Sequence, residues 1–133
     1  MTKLTTDVDE LVIDEASYFI DPVYEAGAFI LEKDGEYKFI RLDNKWENTR
    51  IGYALYEPED EDYVKHIAPL INKGWKMHSC LHTHPCFSAQ YSQIDYNNLF
   101  QGFKYNYIKS VKNNQIIKWT WINDKELKGE IIF

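Results

Sequence analysis

The chain has 133 residues, with 4 Trp, 10 Tyr and 7 Phe among them and a formal net charge of −6. That length suits one domain over residues 1–133, and a hydrophobic fraction of 44% is too high for a disordered tail. The acidic balance argues against nucleic-acid binding, which needs cations to neutralise phosphates, and no stretch approaches the roughly 18 consecutive apolar residues of a membrane span.

Met1 to Asp7 carries one cation and turns acidic at once, unlike a secretory signal, so a cytoplasmic location is expected. Cys80 and Cys86 would stand about 20 Å apart in an extended segment, too far for a disulfide, so reduced thiols are expected.

Val8, Leu11, Val12, Ala16 and Phe19 predict a helix over residues 8–20, capped by Asp7 and closed by Pro22. Strands are expected at 28–31 and 37–42 around Lys33-Asp34-Gly35, whose Asp-Gly is a hairpin signal. A third strand is expected at 51–56. The acid run Glu57 to Asp62 opens a helix, because carboxylates are favoured in a first turn, and Gly74 ends it. A strand over 76–84 and a helix from Ser92 to about Phe103 follow. Strands at 105–110, 115–122 and 130–133 finish the chain, with Asn113-Asn114 as a turn. Helices interrupting a run of strands predict an α/β or α+β fold, a sheet with helices packed on it.

The chemistry is concentrated between His82 and Asp95. On a strand, His82 and His84 project to one face and can converge on a single cation. Asp95, in the first turn of the next helix, can reach back as a third ligand. Two His and one carboxylate leave a fourth tetrahedral position for water, the arrangement of catalytic zinc. A structural site built from Cys80, His82, His84 and Cys86 would have to gather ligands spread over about 20 Å. Ser92-x-x-Asp95 also reads as a helix N-cap, a role compatible with ligation. By strand parity His78 shares the face of His82 and His84 and reads as a residue supporting the ligands or as a buried neutral histidine rather than as a ligand, whereas His66 reads as a surface residue.

His-x-His, seven residues, Ser, two residues and Asp resembles the signature of the JAMM/MPN+ (JAB-domain) zinc metalloproteases, prokaryotic type, with Pro85 after the second His included. The resemblance covers roughly residues 8–110. It implies a JAB/MPN-like mixed β-sheet flanked by helices, one catalytic Zn2+, and an upstream catalytic Glu followed by small residues. Pro22-Val23-Tyr24-Glu25-Ala26-Gly27-Ala28 fits that segment, so Glu25 is preferred to Glu32 and Glu36, although Ala28 stands where relatives usually have Gly. Asn44 resembles an Asn often found at the end of the second strand.

The activity so implied is metallopeptidase or isopeptidase hydrolysis, in many members removing a ubiquitin-like modifier from its target. Zinc acidifies a bound water to a pKa of about 7. Glu25 then acts as general base and proton donor to the leaving amine, and Ser92 donates to the developing oxyanion. The partner is a protein or peptide substrate, with neither nucleic acid nor membrane. Only 56 residues separate Glu25 from His82, which leaves little room for a specificity insertion. Trp46, Tyr53, Tyr56 and Trp75 are aromatics that either line a peptide groove or pack. Three alternatives stand beside this reading. One is a non-catalytic scaffold module, although such modules generally lack a ligand that this chain keeps. Another is a toxin- or effector-associated protease. The last is a deaminase-like zinc hydrolase, whose Pro-Cys-x-x-Cys would need a cysteine at Ala89.

Overall fold

The computed structural model describes residues 7–53, 55–86, 88–92 and 103–133. Its elements are α1 (Val8–Ala16), β1 (Gly27–Lys33), β2 (Glu36–Leu42), α2 (Asp60–His66), α3 (Ala68–Asn72), β3 (Lys76–His84), β4 (Tyr105–Ser110), β5 (Gln115–Trp121) and β6 (Leu127–Ile131). The strands form one mixed sheet in the order β2-β1-β3-β4-β5-β6. β3 and β4 are parallel and every other neighbouring pair is antiparallel. This is the expected α+β arrangement.

Alternation along the strands divides the core between two faces. Ala28, Ile30, Leu81, Tyr107 and Ile116 face α1, where Val8, Val12, Ala16 and Phe19 cover them. Phe29, Leu31 and Leu42 face the other way, onto Ile67 between α2 and α3, with Cys80, Tyr63 and Leu70 around them. Farther along this second face, Ile108, Ile117 and Trp119 enclose Ala89 from the loop after β3. Each large side chain buried in this way contributes about 1.5–3 kcal/mol.

Several local signals act as expected. Asp7 caps α1 by accepting from the N–H groups of Asp9 and Glu10 at 3.0 and 3.3 Å. Asp34 and Gly35, with φ of 51° and 80°, form the two-residue turn between β1 and β2. Gly74, at φ 97°, stops the chain after α3.

Elsewhere tertiary contacts override local pattern. α1 stops at Ala16 rather than running to residue 20. The buried Lys109 amine, on β4, donates to the carbonyls of Ala16 at 2.6 Å and Phe19 at 3.2 Å. α1 has no basic residue in its last turn, so Lys109 supplies the cation its C-terminal carbonyls favour.

The strand expected at 51–56 is not formed. Arg50–Tyr53 is a 3-10 turn, and among the described residues the only pairing nearby is an isolated bridge between Asn44 and Pro58. Backbone groups of this segment are spent on loop contacts instead: the Gly52 carbonyl accepts from the Glu25 N–H and the Leu55 carbonyl from Asn44 Nδ2. The acid-initiated helix breaks in two at Ile67, because Pro69 enters the first turn of α3 and has no N–H to continue α2.

β6 begins at Leu127, three residues before the expected position 130. Its Gly129 leaves room for the Trp119 ring, whose Cζ3 would lie 2.7 Å from a Cβ there. The helix expected from Ser92 to Phe103 falls largely on residues 93–102, outside the described residues. Among the described residues no helix is long and apolar enough to cross a membrane.

Candidate active site

β3 carries His82 and His84 at its C-terminal end, their ring centroids 5.2 Å apart and their planes tilted by 59°. Strand parity puts both on the α2/α3 face with Cys80, while Leu81 points to α1. His84 is buried, and its Nδ1 lies 2.7 Å from the carbonyl oxygen of Ser88. A carbonyl only accepts, so Nδ1 carries the proton and Nε2 holds the lone pair of the neutral ring. Histidine metal ligands are oriented in this way.

Glu25 reaches the same place through long-range pairing. Gly27 is in register with His82. One residue farther, the Thr83 N–H donates to the Ala26 carbonyl at 2.8 Å, and the Ala26 N–H donates to Thr83 Oγ1 at 2.9 Å. Glu25 is the next residue, one step beyond this bonded pair and outside β1. Glu25 is only 4% exposed.

With Ala26 bonded to β3, the backbone of Glu25 turns the other way, into the loop spanning residues 44–58. Its N–H donates to the Gly52 carbonyl at 2.8 Å, and its carbonyl accepts from Asn44 Nδ2 at 3.0 Å. Asn44 also donates to the Leu55 carbonyl at 2.8 Å. Its Oδ1 accepts from the N–H groups of Trp46 at 3.1 Å and Glu57 at 3.2 Å. All four hydrogen-bonding positions of this buried amide are therefore used. Gly52 is equally constrained, since a Cβ there would collide with the Trp46 carbonyl. Asn44 was visible only through the family resemblance. Gly52 had no sequence signal, because its role is a carbonyl and an absence of side chain.

Glu32 and Glu36, the other candidates for the base, lie elsewhere. Glu32 pairs with Tyr37 on the α1 face, its Oε2 3.6 Å from His78 Nε2, and Glu36 is exposed at the start of β2. Ser92 is exposed at the end of the loop after β3. Asp95 lies outside the described residues. Among the described residues no group of three or more His, Cys, Asp or Glu is gathered to hold a metal ion.

The surroundings are tightly packed. The Tyr56 ring lies against Gly27, filling the space a Cβ would need, and its hydroxyl donates to the Leu42 carbonyl at 2.8 Å. Cys80 and Cys86 are free thiols. Cys80 donates to Asn106 Oδ1 at 3.1 Å, and burial pushes its pKa up to about 12, so this thiol is unreactive packing. Of the four candidate groove aromatics, Tyr53 is exposed and stacks on Tyr24 at 5.2 Å, one residue from Glu25. Trp46 is tied to Glu57, Trp75 packs in the α2/α3 core, and Tyr56 is the ring under Gly27.

His78 corrects the parity argument. The β1–β3 register shifts between Ile30, opposite Ser79, and Leu31, opposite Met77, leaving His78 as the extra residue of a bulge. Its ring therefore turns to the α1 face, edge-on to Tyr37 and Tyr105, with Nδ1 2.6 Å from Ser79 Oγ. Burial lowers its pKa, with Glu32 opposing and Lys104 adding to the shift, so it is the neutral histidine expected, on the other face. Its contribution to stability is full above the unfolded value near 6.5 and is lost as pH falls from there through the folded value. Melting temperature should accordingly drop as pH falls below about 6.5, and His78→Gln should lose less over the same fall. Equal losses in both proteins would assign the acid sensitivity to other groups.

Two imidazoles on one face, one of them oriented by a carbonyl, are donors of the kind that suit a zinc ion, and Glu25 is buried next to the residue that joins its segment to β3. A mixed sheet flanked by helices is the architecture that the resemblance to JAB domains implies. The chain belongs to the family described as prokaryotic homologs of the JAB domain, whose model matches residues 20–122. It is also similar to the solution structure of protein DSY2949 from Desulfitobacterium hafniense, with a TM-score of 0.62 and 18% identity over 91% of this chain and 84% of that one. That identity supports likeness of fold alone. Among curated proteins none matches the chain significantly.

Proposed function

We propose that this protein is a zinc-dependent hydrolase of amide or isopeptide bonds, acting on a peptide or on a protein conjugate such as a ubiquitin-like one. The observation carrying this reading is the pair of histidines at the end of β3, 5.2 Å apart, with Nδ1 of the buried His84 held 2.7 Å from the Ser88 carbonyl and with Ala26, the residue after Glu25, bonded to Thr83 between them. His82 and His84 would hold the ion from β3, with Asp95 as third ligand from the sequence motif. When bound, zinc supplies Lewis acidity and an acidified water. Glu25 takes the proton from the attacking water and returns it to the leaving amine, its backbone held by Gly52 and Asn44. Ser92 donates a hydrogen bond to the oxygen on which negative charge develops. The low exposure of Glu25 limits competition from bulk water for that proton.

Metal titration tests this reading first. The wild-type protein stripped with chelator should take up one equivalent of zinc, and His84→Ala should weaken that uptake by more than about 100-fold. A wild type that takes up no zinc overturns the proposal, and unchanged affinity in His84→Ala removes His84 from the ligand set.

A further inference from the structure

Among the described residues, β6 has β5 on one side and no other strand of the sheet on its other side. Lys128 to Ile131 are exposed, Ile131 at 65%. The pairing with β5 keeps one register from Trp121–Leu127 to Ile117–Ile131. Just outside those limits, the Ile122 N–H donates to the Glu126 carbonyl at 2.9 Å, and the Ile132 N–H donates to the Ile116 carbonyl at 3.0 Å. The even-numbered residues thus spend their backbone groups on β5, and Leu127, Gly129 and Ile131 turn theirs outward. Such a row is a template for another strand.

The side chains along this edge are complementary to themselves. We propose that β6 pairs with β6 of a second copy of the chain, antiparallel and centred on Gly129. Read against its own reverse, Leu-Lys-Gly-Glu-Ile sets Lys128 opposite the second copy's glutamate at 130, twice, and Leu127 opposite its isoleucine at 131, twice. Gly129 meets itself, so the outward N–H and C=O groups of residues 127, 129 and 131 all find partners in this one register. Moving the register by two residues sets lysine against lysine at 128 in one direction and glutamate against glutamate at 130 in the other, which disfavours both. Glu130, with its side chain 62% exposed and 3.4 Å from Lys118, keeps that contact while facing the second lysine. The product is a continuous twelve-stranded sheet with its two-fold axis normal to the strands. β6 runs parallel to β3, so the axis leaves the two candidate active sites on the same face, at opposite ends of the sheet.

Sedimentation velocity on the full chain, up to millimolar concentration, tests this. The wild type should show a concentration-dependent monomer–dimer equilibrium. Lys128→Glu alone and Glu130→Lys alone should sediment as monomers where the wild type is dimeric, because each sets like charges across the axis. An equimolar mixture of the two variants should regain the dimer, since glutamates at 128 and 130 of one copy then face lysines of the other. Both positions are exposed, and circular dichroism matching the wild type keeps folding out of the comparison. A wild type that stays monomeric, single variants that dimerise as the wild type does, or a mixture that stays monomeric would each overturn the proposal.

Discussion

Glu25→Gln is expected to slow hydrolysis of an amide or isopeptide substrate by about 10²–10⁴-fold, the range a positioned general base contributes. Zinc uptake should be unchanged, because the ligands expected are His82, His84 and Asp95. Glutamine matches glutamate in shape, and the contacts that hold this segment belong to the backbone, Gly52 to the N–H and Asn44 to the carbonyl. The variant should therefore fold and melt much as the wild type does. Metal content, melting temperature and turnover measured on one preparation separate the possibilities. Lost turnover with metal retained supports the base assignment. Wild-type turnover in Glu25→Gln would remove Glu25 from the proton path, and lost zinc would make it a ligand.

The second large effect is on stability. Asn44→Ala leaves the carbonyls of Glu25 and Leu55 and the N–H groups of Trp46 and Glu57 without their side-chain partner. Unsatisfied buried polar groups cost about 1–3 kcal/mol each, and partial rescue by water brings the expected loss to about 2–4 kcal/mol. A domain of this size should then melt roughly 10 °C lower. Asn44→Asp should do no better, because it keeps the acceptor half but turns a carboxylate oxygen toward two carbonyls. Thermal unfolding of both variants checks this, and a loss under about 0.5 kcal/mol in either would show that the loop does not depend on the amide. Displacement of Glu25 should also lower kcat more than it raises KM, as for a group that works in the transition state.

Two kinds of inference from sequence fared differently. Those resting on neighbours a few residues apart held. Asp7 caps its helix, Asp34-Gly35 turns its hairpin, and His82 and His84 share a face because two residues along an unbroken strand restore the same side. The parity argument failed over the longer step to His78, where one extra residue in a bulge reversed the face. The 51–56 segment misled for a related reason. Its apolar and aromatic residues suit a strand, but the carbonyls of Gly52 and Leu55 are taken by the Glu25 N–H and the Asn44 amide, partners that no local pattern shows.

The preference for Glu25 over Glu32 rested on resemblance, since both lie within a few residues of the same hairpin. The fold separates them: Glu25 is buried next to Ala26, which is bonded to Thr83 between the two histidines, while Glu32 sits beside His78 near α1. The bonds that make the difference join Ala26 to Thr83 across 57 residues and Glu25 to Gly52 and Asn44. Of the four groove candidates, burial likewise left only Tyr53 exposed, stacked on Tyr24 beside Glu25.

A small, acidic, aromatic-rich chain with a His-x-His strand end and a spaced Ser and Asp was legible from residue types and intervals alone. Those features depend on local geometry, which repeats every two residues in a strand and every turn in a helix. Which carboxylate is buried near the strand end that carries the histidines, where α1 ends, and which strands lie at the edges of the sheet were decided by the fold. Each depends on groups brought together from distant parts of the chain, whose hydrogen bonds must be satisfied once they are buried.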